Sequence, residues 1–136
     1  MYKTILVPVD LGHEERVKPM IEAATLLGGG TARIILTHVI EEVPAYVAAQ
    51  LPKDVLENSR EKVEESLKGI AERVGVAVEI DVHSGHAANT ILDIAEEKGV
   101  DCIVIASHKP GWEDFLIGST AARVVRHAKC AVHVLR

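Results

Sequence analysis

The sequence predicts an α/β fold, a doubly wound five-stranded parallel sheet of Rossmann-like type, and three observations carry that reading. Short runs rich in β-branched apolar residues alternate with longer segments whose apolar residues recur every three to four positions. Most of the longer segments end at glycine, as helix C-termini commonly do. The chain of 136 residues is 48% hydrophobic and 26% charged, which suits one domain, 1–136, with its own core.

The elements follow in order. Thr4 to Val9 is a β-branched apolar run bounded by Pro8 and Asp10, suited to a strand buried on both faces. From about Glu14 to Leu27, Val17, Met20, Ile21, Ala24 and Leu27 form a helical stripe that Gly28-Gly29-Gly30 stops, and Pro19 inside it predicts a late start or a slight kink. Arg33 to Ile40 is the second strand. The residues from there to about Pro52 read either as an extended connection or as a partly helical flap. Asp54 to Val74 is a long amphipathic helix with Val55, Leu56, Val63, Leu67, Ile70, Ala71 and Val74 on one stripe, closed by Gly75. Val76 to Val82 is the third strand, Asn89 to Lys98 a helix closed by Gly99, Cys102 to Ala106 the fourth strand, Thr120 to Ala128 a helix and Ala131 to Leu135 the last strand.

Strands joined through helices run parallel, and ligands of such sheets lie beyond the strands' carboxyl ends, where neighbouring connections leave for opposite faces. In the order 3-2-1-4-5 that point falls between the first and fourth strands. The loops of interest are then Pro8 to His13 and Ser107 to Ser119, with the end of the second strand as a side wall. The latter loop closes in Gly118-Ser119-Thr120 at the start of a helix, where unpaired backbone N–H groups and the helix dipole favour an anion such as phosphate. Lys109 would add a point charge and His108 a donor. On local sequence alone, the first reading of Ser119 is a helix N-cap, with the anion site second. Asp10 has two readings as well, an acceptor for ribose hydroxyls or a cap for the first helix.

Composition excludes other classes of ligand. A formal net charge of -5 opposes binding to nucleic-acid phosphates or an anionic bilayer, and no apolar run approaches the roughly 20 residues of a membrane span. Met1-Tyr2-Lys3-Thr4 leads straight into a strand, so the expected location is cytoplasmic. Cys102 and Cys130 have no CxxC partner and read as buried free thiols. His83-Ser84-Gly85-His86 lacks the further donors of a metal site and reads as solvated loop, His127 and His133 read as surface or interface groups, and Trp112 either covers the pocket or packs on the domain.

The chain also resembles the universal stress protein family along its length. The resemblance lies in Ile5-Leu6-Val7-Pro8-Val9-Asp10, His38-Val39-Ile40, Gly85, Ile105-Ala106-Ser107-His108, Leu116-Ile117-Gly118-Ser119 and the tail from Ala121 to Arg136. It implies an adenine nucleotide alpha hydrolase-like sheet of order 3-2-1-4-5, a homodimer through the final strand with higher assembly left open, and bound ATP or AMP, with room for magnesium beside ATP. Carried over by position, Pro8, Val9, Asp10 and Val39 would hold adenine and ribose. Ala106, Ser107, His108, Lys109, Gly118, Ser119 and Thr120 would line the ribose and phosphates. Nucleotide-binding members show Gly-x2-Gly-x9-Gly-Ser/Thr; here Ala106 and Lys109 stand at the early glycines, with eight residues before Gly118. Ser107-His108-Lys109-Pro110 is similar to a branch with Ser-His or Ser-Arg followed by Arg-Pro that binds ATP.

No catalytic residue is assigned. The chain has no Ser-Gly-Gly-x-Asp-Ser loop, no His-x-Gly-His, no Gly-x4-Gly-Lys-Ser/Thr and no Gly-x-Ser-x-Gly elbow. The expected function is a nucleotide-binding regulatory or interaction protein of the stress response. The alternatives are a nucleotide-free dimeric interaction module and, behind it, a slow ATPase. The last strand, Ala131 to Leu135, lies at the sheet edge in this order, where its open backbone groups invite a second copy.

Overall fold

The computed structural model describes residues 1–107 and 117–136. Its elements are β1 (Thr4–Pro8), a 3-10 turn (Leu11–Arg16), α1 (Val17–Leu27), β2 (Arg33–Glu41), α2 (Ala45–Ala48), α3 (Lys53–Val74), β3 (Glu79–Gly85), α4 (Ala87–Glu97), β4 (Cys102–Ala106), α5 (Ser119–His127) and β5 (Ala131–Leu135). The strands form one parallel sheet in the order β3-β2-β1-β4-β5.

The sheet has a covered face on each side. Ile5 and Val7 of β1 point with Leu36 and Val104 toward α1 and α3, where Val17, Met20, Ile21, Leu67 and Ile70 meet them. Leu6 points the other way with Ile35, Ile103 and Ile105, toward Ile91 and Ile94 of α4 and Val124 of α5. Alternate residues of a strand face opposite sides, so burial on both faces requires the unbroken apolar runs that the central strands carry. Ile5, Leu6 and Val7 are wholly buried, each stabilising the fold by roughly 1.5–3 kcal/mol relative to exposure. Cys102 is buried too, and burial, with Cys130 nearby, pushes its thiol up to about 11.

Several boundaries differ from those expected. The first helix starts at Val17, which puts Pro19 in its opening turn, where the missing N–H has no helical partner to lose. The connection after β2 is partly helical, with a single turn at Ala45–Ala48 between Pro44 and Pro52. β3 begins at Glu79 rather than Val76, because the ladder with β2 opens at Ile35–Glu79 and runs to Glu41–Gly85. Val76 and Val78 pack against the core from the preceding connection instead. Gly75 and Gly85 hold φ angles of 74° and 148°, conformations that favour glycine, and close α3 and β3 respectively.

Along the α3 stripe Val63, Leu67, Ile70 and Val74 pack into or against the core, whereas Val55 is 44% exposed. On the outer strand, Asp81 accepts from His83 Nε2 at 2.8 Å and Lys98 Nζ at 2.9 Å, which ties β3 to the end of α4. Burial works against ionisation of Asp81, yet these two partners hold its carboxyl below the usual range.

Candidate nucleotide site

Two features open a crevice beyond the carboxyl ends of the central strands. The connection from β1 leaves into α1 on one face, while that from β4 returns as α5 on the other. The β1–β4 ladder is also short. It pairs Ile5 with Cys102 and Leu6 with Ile103 and stops there, whereas β1–β2 and β4–β5 stay paired to their carboxyl ends. At the opposite end the two strands are bound together, since the Asp101 carboxylate accepts from Lys3 N at 2.9 Å and Thr4 N at 3.0 Å. The pair is fastened at one end and parted at the other.

A cavity of about 520 Å³ occupies this opening, within the roughly 300–1,000 Å³ usual for small-molecule sites. Pro8, Val9 and Asp10 line it from β1, Val39 from β2, Ala106 from β4, and Gly118, Ser119 and Thr120 from the start of α5. Ser107 does not reach the lining. It is 6% exposed, and its hydroxyl accepts from Gly118 N at 3.0 Å while its own N–H donates to Leu135 O at 2.8 Å. His108 and Lys109, like Trp112, lie outside the described residues.

This arrangement bears on the anion site expected at α5. The helix starts at Ser119, with Gly118 in the cap position and no side-chain cap, so Ser119 is not the cap residue. The Gly118 amide is already engaged by Ser107. The amides of Ser119 and Thr120 belong to the first turn, where a helix supplies no backbone acceptor, and both residues border the cavity. Gly118 has φ -59° and ψ 153°, a conformation open to any residue, so the backbone angles do not require glycine here.

Asp10 caps the 3-10 turn that precedes the first helix rather than the helix itself. Its Oδ1 accepts from Gly12 N at 2.8 Å and so caps the 3-10 turn, while the side chain stays 71% exposed at the cavity edge. His38 has its Nδ1 2.8 Å from Val9 O. A carbonyl only accepts, so Nδ1 carries the proton and a neutral His38 keeps Nε2 as an acceptor.

Sequence reasoning missed Arg16 and His38 as site residues and reached His13 only as the end of the first loop; all three line the cavity. His38 stands in the sequence only among the residues that carry the family resemblance, and its place two residues from the end of the Arg33 to Ile40 run was the available signal. Nothing local distinguishes Arg16 from other charged residues of its turn. Among the described residues, no cluster of three or more His, Cys, Asp or Glu side chains is placed to hold a metal ion, and His83 is engaged with Asp81.

A doubly wound sheet with a cavity at its switch point and a helix N-terminus on the cavity wall defines an α/β protein with a candidate small-molecule site. The comparisons narrow this further: residues 1–136 match the universal stress protein family, and the chain belongs to it. It is 31% identical to a universal stress protein of Methanothermobacter thermautotrophicus, over 100% of this chain and 97% of that one. The crystal structure of the hypothetical protein PH0823 superimposes with a TM-score of 0.80 at 28% identity, covering 99% of this chain and 96% of the other. More distant structures share the fold, among them a universal stress protein from Archaeoglobus fulgidus in complex with dAMP (TM-score 0.67, 19% identity, 99% and 98% coverage). Another is a universal stress protein in complex with cAMP (0.68, 18%, 99% and 97%). No described helix is long and apolar enough to cross a membrane.

Proposed function

We propose that this chain is an adenine-nucleotide-binding regulatory protein of one domain, 1–136, acting in the cytoplasm as a homodimer. The observation that carries the reading is the cavity between the tip of β1 and the first turn of α5, where Ser119 and Thr120 border the space that Pro8, Val9 and Asp10 border from the other side. Such a turn suits phosphate, since its N–H groups and dipole favour negative charge. Val39 and Ile40 offer an apolar wall of the kind a purine takes. The dAMP- and cAMP-bound relatives support the choice of ligand class. ATP or AMP is the proposed ligand, ATP with magnesium, and Pro8, Val9, Asp10, Val39, Ala106, Gly118, Ser119 and Thr120 are the proposed contacts. Ser107 acts beneath them, and His108 and Lys109 complete the phosphate side in this reading.

The homodimer is proposed through β5. It lies at the sheet edge, its Ala131 and His133 are exposed, and pairing with a second copy would cover its open backbone groups.

One observation favours the nucleotide-free interaction module: the Gly118 amide is already paired with Ser107. A direct experiment separates the two readings. Protein purified without added nucleotide, and a sample incubated with Mg-ATP and desalted, are denatured and the supernatants analysed by mass spectrometry. Stoichiometric release of ATP or AMP is expected. Release of neither from both samples would leave the interaction module as the function.

A further inference from the structure

The cavity reaches helices on both faces of the sheet. On one face Val39 and Ile105 line it with Ile91 of α4 and Ala121 of α5, and on the other Val17 and Met20 of α1 line it with Val63 of α3. A sheet is one strand thick, so the space passes over the strand tips and has a compartment on each side. Successive residues of β2 divide between the two. Val39 packs toward α4 and α5, Ile40 packs toward α1 and α3, and alternation gives His38 the face of Ile40. There the His38 ring reaches over the tip of β1, with Nδ1 2.8 Å from Val9 O. None of the proposed nucleotide contacts comes from α1 or α3.

We infer that the α1/α3 compartment binds a small uncharged molecule of the phenol or alcohol class, an apolar body carrying one hydroxyl donor. Its walls are aliphatic: Val17 and Met20 are almost wholly buried, and Ile40 and Val63 are half-buried. An apolar body suits such walls, and a charge buried against them would lose its hydration. The neutral polar side chains on this side accept rather than donate. His38 gives its Nδ1 proton to Val9 O, which leaves Nε2 as an acceptor with no partner among the described residues. Ser59 Oγ donates to Val55 O at 2.9 Å, so its lone pairs are what it offers the cavity. The cationic and ring donors nearby are engaged with the protein itself: Arg16 Nη1 donates to Arg136 O at 3.1 Å, and His13 Nδ1 lies 3.5 Å from the Glu15 carboxylate. A pocket with acceptors set in an aliphatic wall selects a ligand that brings the proton, because a ligand acceptor placed against Nε2 would leave both atoms unpaired. The inference goes beyond the nucleotide reading and does not depend on it.

The test titrates phenol and anisole into wild type, His38→Asn and Val63→Phe, followed by NMR on the methyl groups of Val17, Met20, Ile40 and Val63 and on the His38 ring nitrogens. Anisole keeps the ring but has its hydroxyl methylated, so it brings no donor. Phenol is expected to shift those methyls in wild type and to move the His38 Nε2 resonance, which anisole should leave in place. His38→Asn sets an amide nitrogen where Nδ1 stood and has no counterpart of Nε2. The ratio of phenol to anisole affinity should therefore fall about fivefold in that variant, the worth of one hydrogen bond. Val63→Phe crowds the compartment and should weaken both ligands by about tenfold. Saturating Mg-ATP should leave phenol bound. An Nε2 resonance indifferent to phenol in wild type would overturn the inference without any variant having to fold. So would an unchanged affinity ratio in His38→Asn, or full displacement of phenol by Mg-ATP. A protein that takes phenol in this way but binds no nucleotide would support the inference while overturning the nucleotide reading.

Discussion

Replacing Ser107 by alanine removes one defined contact. The hydroxyl is almost fully buried and accepts from Gly118 N at 3.0 Å, while the backbone bond from Ser107 N to Leu135 O is left intact. Abandoning a buried donor costs about 1–3 kcal/mol; Gly118 borders the cavity, where water can replace the lost acceptor, so the lower end, about 1 kcal/mol, applies. An unfolding entropy of about 2.1 cal/mol/K per residue gives about 0.29 kcal/mol/K for this chain, and hence a fall in Tm of about 3–4 °C. The effect on ligand has the opposite sign. Ser107 competes with phosphate for the Gly118 amide, so the alanine variant should bind ATP as well as wild type or more tightly. Stability is measured by thermal and urea unfolding at fixed protein concentration, because the proposed dimer would make the midpoint concentration-dependent, and affinity by calorimetry. Unchanged stability would show that the Ser107–Gly118 link carries no weight. A loss of ATP affinity comparable to that from removing a direct phosphate contact would return Ser107 to the cavity lining.

Gly118→Val should abolish nucleotide binding by calorimetry while the unfolding free energy from urea titration falls by less than about 1 kcal/mol, since the backbone there suits any residue; a folded variant with normal affinity would remove Gly118 from the site. Asp81 is held below the usual carboxylate range, so the stability it adds is present above the unfolded pKa of about 3.9 and is lost as pH falls through the lower folded value. Asp81→Asn is therefore expected to cost about 1 kcal/mol at pH 7, after discounting for solvent screening. That deficit should shrink to nothing in acid, as denaturation across pH would reveal; a deficit independent of pH counts against the ionic contact. Deleting Val132 to Arg136 should convert a dimer into monomer or aggregate by light scattering, and a dimer that survives would move the interface away from β5.

The strands and their parallel arrangement were legible because burial on both faces leaves no polar alternation, as in Ile5-Leu6-Val7 and Cys102-Ile103-Val104-Ile105. The start of β3 was not, since Val76 and Val78 carry strand chemistry but pack as a connection, and only the ladder with β2 sets where pairing begins. The stripe of α3 shows the same limit. Val55 is as apolar as Val63, yet Val63 packs against the core and Val55 remains exposed. Periodicity records which face of a helix is apolar, but how far the packing extends depends on the elements beneath it.

The candidate site divides along a similar line. Residues at strand tips and at the start of α5 could be placed from order alone, because a doubly wound sheet brings those ends to one side whatever fills them. Arg16 and the pairing of Ser107 with Gly118 could not, since their partners lie 120 and 11 residues away. By itself, the sequence determined the alternation of strands and helices, the burial of the central strands and the presence of a helix N-terminus after β4, all of which follow from local periodicity. Only the tertiary structure decided which residues border the cavity, which amide there is already taken and which cation lines it. Those properties depend on distances between segments remote along the chain, and hydrogen bonds act over about 3 Å, a scale that residue order does not specify.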